Sequence, residues 1–117
     1  MIVTVTDSQL VGETNSVLWS VIQQGPVSMA VVIKNSGINT INYRFQEFDG
    51  NVWTDMGASG TDYYNTLMSG EVKLFKVYSG RPQVRMVGNA SGGALLEFSI
   101  TRYAVRPSGG ALPILNL

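Results

Sequence analysis

Thr40-Ile41-Asn42-Tyr43-Arg44-Phe45-Gln46-Glu47-Phe48-Asp49-Gly50-Asn51-Val52-Trp53-Thr54-Asp55-Met56 reads as two extended segments joined by a turn. In its first half Ile41, Tyr43, Phe45 and Glu47 fall on one side of the chain and Asn42, Arg44 and Gln46 on the other. That is the period of two expected of a strand with one face in a core. Asp49-Gly50 supplies the positive φ of a tight hairpin turn, and Asn51 to Met56 resume an extended pattern.

The same period runs outward in both directions. Upstream, Val27-Ser28-Met29-Ala30-Val31-Val32-Ile33-Lys34 carries apolar residues at 27, 29, 31 and 33. The intervening Asn35-Ser36-Gly37-Ile38-Asn39 is loop chemistry, so these two strands are either antiparallel neighbours or cross between sheets. Downstream, Glu71-Val72-Lys73-Leu74-Phe75-Lys76-Val77-Tyr78 sets Val72, Leu74 and Lys76 against Lys73, Phe75 and Val77. Ser79-Gly80-Arg81-Pro82 turns the chain, 83–87 is a short strand, and Gly88-Asn89-Ala90-Ser91-Gly92-Gly93 turns it again. In the long run 94–105, Leu96, Phe98, Ile100 and Arg102 alternate with Leu95, Glu97, Ser99, Thr101 and Tyr103. Near the N-terminus Ile2, Val3 and Val5 predict a short edge strand, followed by a helical turn over 7–12 capped by Asp7 or Ser8. Val17-Leu18-Trp19-Ser20-Val21-Ile22 predicts another strand, closed by Gly25-Pro26. About eight strands, with turns every eight to twelve residues or so, predict an all-β fold. The expected architecture is a single antiparallel β-sandwich, a jelly roll of about eight strands, although an immunoglobulin-like sandwich leaves a similar pattern.

The pattern stops at Arg106. Pro107-Ser108-Gly109-Gly110-Ala111-Leu112-Pro113-Ile114-Leu115-Asn116-Leu117 holds two prolines and two glycines, which forbid a regular central strand or helix. The chain therefore divides into a β-sandwich domain, 1–105, and an extended C-terminal tail, 106–117. Burying Leu112, Ile114, Leu115 and Leu117 would yield about 6 to 12 kcal/mol gross. Ordering the tail costs about 1 to 2 kcal/mol per residue, a comparable or larger sum. Hydrophobic burial alone does not hold it; hydrogen bonds to a sheet edge or many copies on one lattice would. Two outcomes stay open: an arm onto a neighbouring subunit, or a segment that frays or packs on its own sandwich as a final edge strand.

Composition narrows the function. Eight Lys and Arg balance eight Asp and Glu, so no net field attracts a polyphosphate or an anionic membrane, and neither nucleic acid nor membrane is an expected partner. Charged residues make up 14% of the chain, against about 25% in an average soluble domain, and a surface so poor in charge expects protein neighbours. With no Cys there are no disulfides, thiolate nucleophiles or thiolate metal sites, and with no His the commonest general base and metal ligand is missing. The acidic residues show neither a spacing that singles out a catalytic pair nor a D-x-D-x-D-G loop for Ca²⁺. No enzymatic activity, cofactor or metal is expected. Met1 to Asp7 has neither a basic nor a long apolar region, so no secretory leader is expected and synthesis in a cytoplasm is.

Aromatic residues are numerous enough for a sugar-stacking platform, although core packing explains most of them. Thr61-Asp62-Tyr63-Tyr64-Asn65, read as a long loop between strands, makes Tyr63 and Tyr64 the best candidates for a surface contact. Lys73, Lys76, Arg81 and Arg85 read as a solvated strand edge guarded against aggregation.

A short, neutral, cysteine-free chain with Asn- and Gly-rich turns, a Tyr43-Arg44-Phe45 strand leading through Asp49-Gly50 to Val52-Trp53, and a Pro/Gly tail resembles the small jelly-roll decoration, or cement, proteins of tailed bacteriophages. The resemblance is one of general character across the chain. It implies a structural virion protein, made in the host cytoplasm, that binds the outside of a capsid as a dimer or trimer and reinforces contacts between subunits of the major capsid protein. Partner contacts are then expected at Tyr63, Tyr64, Leu112, Ile114, Leu115 and Leu117. The alternative is a carbohydrate- or receptor-binding β-sandwich module of a phage fibre or secreted enzyme.

Overall fold

The computed structural model describes residues 2–23, 27–58, 60–103 and 115–116. Its strands are β1 (Ile2–Val11), β2 (Ser16–Gln23), β3 (Val27–Asn35), β4 (Ile41–Phe48), β5 (Trp53–Asp55), β6 (Tyr64–Leu67), β7 (Val72–Ser79), β8 (Gln83–Asn89), β9 (Ala94–Tyr103) and β10 (Leu115–Asn116). They form two antiparallel sheets, β1-β9-β3-β7 and β10-β2-β8-β4-β5, with β6 beside β5 on the same edge of β4.

The pairing order identifies the topology. β1 pairs β9, β2 pairs β8, β3 pairs β7 and β4 pairs β6, as in Ile2↔Tyr103, Ser16↔Gly88, Val27↔Ser79 and Ile41↔Leu67. Each of these pairs is centred on the same part of the chain, around Trp53. The protein is thus one long antiparallel hairpin rolled up so that successive strands of each arm alternate between the sheets, which is a jelly roll.

Period two decides the core. Met29, Val31 and Ile33 of β3, and Leu96, Phe98 and Ile100 of β9, point inward from one sheet. Ile41, Tyr43 and Phe45 of β4, with Val84 and Met86 of β8, meet them from the other. Phe45 is fully buried, with its ring centroid 4.8 Å from Phe75 and 5.1 Å from Trp19. On β7 it is Phe75 and Val77 that face in, while Val72, Leu74 and Tyr78 are exposed. Arg102 follows the phase of β9 and is buried at 2% exposure.

Two inward residues in a row, Leu18 and Trp19, break the period on β2. The register there shifts between Val17↔Val87 and Trp19↔Met86, so Leu18 is the extra residue of a β-bulge. Room for it comes from Gly88, where a Cβ would lie 3.1 Å from Leu18 Cδ1 and 2.7 Å from the Asn42 carbonyl oxygen. Asn35 is the fully buried polar group that ties the loops together. Its Nδ2 donates to the carbonyls of Asn39 (2.7 Å) and Leu67 (2.9 Å), and its Oδ1 accepts from Gly37 N (2.9 Å).

Four local expectations are corrected. No helical turn occupies 7–12: β1 runs on to Val11, because β9 offers partners from Phe98 to Ala94 for Asp7 to Val11. The hairpin after β4 spends Asn51 and Val52 in the turn itself. Asp49 Oδ1 accepts both of their N–H groups at 2.8 and 2.9 Å and Gly50 takes φ 106°, so the strand resumes at Trp53. Gly88 and Asn89 prolong β8 instead of turning it, since Tyr43 and Asn42 pair with them. Tyr64 and Asn65 belong to β6 and not to a loop.

Candidate functional site

The outer face of the sheet β2-β8-β4-β6 gathers the polar chemistry of the molecule. Strand register lays its outward side chains in rows. Thr66, Asn42 and Asn89 form the first, Tyr64, Arg44, Val87 and Val17 the second, and Asp55, Gln46, Arg85 and Ser20 the third. The first and third rows are bonded laterally, and Arg44 of the second reaches across to the third. Asn42 Nδ2 donates to Asn89 Oδ1 at 3.3 Å, and Asn89 Nδ2 donates to Asn15 Oδ1 at 2.5 Å. Arg85 Nε donates to Gln46 Oε1 (2.9 Å) and Gln46 Nε2 to Asp55 Oδ1 (2.8 Å), while Arg44 reaches Asp55 Oδ2 at 3.3 Å.

Both guanidinium groups also lie over aromatic rings, Arg44 at 5.3 Å from the Tyr64 centroid and Arg85 at 4.0 Å from that of Trp53. Two shallow clefts of about 390 and 290 Å³ share Asn15 and Arg44 and so make one trough along the face. The larger is lined by Asn15, Asn42, Asn65, Asn89, Tyr64 and Thr66, among others.

The structure separates the two tyrosines expected to make contacts. Tyr64 lines the trough. Tyr63 turns inward: its ring packs 5.7 Å from Phe45 and 5.8 Å from Phe75, and its hydroxyl donates to the Lys76 carbonyl at 2.5 Å. Of the tail residues, Leu115 stands in β10, where Leu115 and Asn116 pair with Gln23 and Ile22 of β2. Leu112, Ile114 and Leu117 lie outside the described residues. The basic group divides: Lys76 is exposed on edge strand β7, whereas Lys73 Nζ donates to the Thr66 carbonyl (2.9 Å) and bridges the sheets. Sequence reasoning missed the amide row, whose signal was the set of outward positions Asn42, Thr66 and Asn89 on strands not yet known to be neighbours. Among the described residues, no group of three or more His, Cys, Asp or Glu is placed to hold a metal ion, and no helix is long and apolar enough to cross a membrane.

Beneath the trough Tyr43 is buried, its hydroxyl donating to the Asp62 carbonyl at 2.5 Å. Burial above all, then the charges of Asp62 and Glu71, hold its pKa well above the ordinary tyrosine value. An unfolded tyrosine ionises near pH 10, so above about that pH the unfolded chain releases a proton that the folded chain keeps. Stability from this group is therefore complete below about pH 10 and declines as pH rises beyond it. In an alkaline titration followed at 295 nm, a late phenolate step should coincide with loss of the β-sheet circular dichroism, and Tyr43→Phe should remove it. Ionisation of every tyrosine in an intact sheet would contradict this.

No protein-family model matches the chain, and no curated protein matches it in sequence.

Proposed function

We propose that the protein is a structural, non-enzymatic virion component that seats on the outside of a phage capsid as a dimer or trimer and reinforces contacts between capsid subunits. The observation that carries this reading is β10. A two-residue strand from the tail adds to the edge of β2 by antiparallel pairing at Leu115↔Gln23 and Asn116↔Ile22. A tail that docks by strand addition uses backbone hydrogen bonds available equally from its own sandwich or a neighbour's, and swapping such an element is a low-cost route to an oligomer. The opposite edge supports the same reading. On β7, Val72, Leu74 and Tyr78 are exposed at 55, 71 and 69%, a mostly apolar row interrupted by Lys76 and suited to a protein neighbour. Each contact is modest, and the many copies of a lattice multiply it.

The test is sedimentation of the full chain beside a version ending at Arg106, with both also offered to emptied phage heads stripped of decoration protein. The expected result is a defined dimer or trimer that falls to monomer on truncation, together with retention on the heads only for the full chain. Monomers in both cases, with no retention, would overturn the proposal.

A further inference from the structure

We propose that the trough on the outer face of β2-β8-β4-β6 is a binding site for a neutral, hydroxyl-rich oligosaccharide. This goes beyond the assembly role and does not depend on it, since β10 joins β2 at Ile22 and Gln23 and β7 belongs to the other sheet, whereas the trough meets β2 at Ser16 and Val17.

The chemistry of the lining points to hydroxyl groups. Asn15, Asn42, Asn65 and Asn89 border the larger cleft with Thr66 and Tyr64. A carboxamide offers two donors and an acceptor in one plane, which matches adjacent sugar hydroxyls that both donate and accept. The amides here are held in place and still have capacity. Asn42 and Asn89 each use one N–H in the relay to Asn15, so each Nδ2 keeps a second N–H. Among the described residues the Asn42 Oδ1 accepts no hydrogen bond, and neither does Asn15 Nδ2 donate one. Such pre-positioning lowers the ordering cost of binding.

Other ligand classes fit less well. Arg44 and Arg85 would be the anchors for a phosphate or carboxylate, yet Arg44 is paired with Asp55 and lies over Tyr64, while Arg85 is held by Gln46 and lies over Trp53. A chain of zero net charge adds no long-range attraction for an anion. An apolar ligand would leave the amides without partners, at about 1 to 3 kcal/mol for each group desolvated. The length of the trough, two clefts joined through Asn15 and Arg44, suits a chain of several sugar units more than a single one.

The test is a glycan array carrying neutral oligomers of glucose, mannose, galactose and N-acetylglucosamine beside sialylated and uronate-containing chains, followed by calorimetry with the soluble form of any hit. The full chain should bind a subset of the neutral oligomers. Asn42→Ala together with Asn89→Ala should weaken binding by about tenfold or more, as expected for the loss of one or two ligand hydrogen bonds. Both positions face solvent, and an unchanged melting curve shows that the variant remains folded. Thr6→Ala, exposed on β1 of the other sheet, should leave binding unchanged. Absence of any binding overturns the proposal. So does binding confined to acidic chains, or neutral binding indifferent to the double substitution.

Discussion

Asn35→Asp is expected to destabilise the protein by about 3 to 5 kcal/mol at neutral pH. The wild-type amide is fully buried and donates to two carbonyls, at 2.7 Å to Asn39 and 2.9 Å to Leu67. A carboxylate has no donor, so it turns an oxygen toward those carbonyls and buries a charge with no cation to meet it. Uncompensated burial of this kind costs about 3 to 5 kcal/mol, a large share of the roughly 5 to 15 kcal/mol that holds a domain together. The neighbouring backbone spreads the damage. Asn35 N donates to Glu71 O (3.1 Å) and Gly70 N to Asn35 O (2.8 Å), so the connections β3 to β4 and β6 to β7 loosen together.

The effect should depend on pH in a defined direction. Burial raises the folded pKa of the introduced carboxyl above its unfolded value of about 3.9, so the deficit is smallest below about pH 4 and grows as pH rises. Urea unfolding of wild type and variant at pH 4 and pH 7 measures this. A deficit equal at both pH values would show that the carboxylate finds solvent and that Asn35 is not the buried knot described. Asn35→Ala, which removes the same hydrogen bonds to the Asn39 and Leu67 carbonyls and from Gly37 N but adds no charge, should cost about 3 kcal/mol at either pH.

Phe45→Ala is the second large effect. Its ring touches Trp19, Tyr43, Tyr63 and Phe75 at centroid distances of 5.1, 6.0, 5.7 and 4.8 Å, linking both sheets at the centre of the sandwich. Removing it empties a site whose rigid aromatic walls cannot collapse, at about 3 to 5 kcal/mol. For a domain of this size the melting temperature should fall by roughly 10 to 20 °C. Trp53→Ala is the contrast: that ring lies on the outer face with Phe48 at 5.1 Å and Arg85 at 4.0 Å, and its loss should cost about 1 kcal/mol. Calorimetry of the two variants compares them directly. Similar losses would place Phe45 outside the structural centre.

The sequence by itself determined the inward faces of the main strands. Alternation at Ile41, Tyr43 and Phe45, at Met29, Val31 and Ile33, and at Leu96, Phe98, Ile100 and Arg102 marks the buried sides, because the side-chain period of a strand is a local property of the backbone. The turn at Asp49-Gly50 was legible for the same reason: its cause, an Asp side chain capping two amides beside a glycine at positive φ, lies within four residues. Tertiary structure decided whatever depends on a partner far along the chain. Residues 7–11 extend β1 because β9 lies beside them, although nothing local distinguishes them from a capped turn. Leu18 is a bulge because Gly88 faces it across the sheet. Tyr63 and Tyr64 are adjacent in sequence, yet one is drawn toward Phe45 and Phe75 while the other borders the trough. The amide face exists only because β8, β4 and β6 lie side by side in one register. Pairing joins residues separated by tens of positions, and no local pattern records which edge a strand will meet.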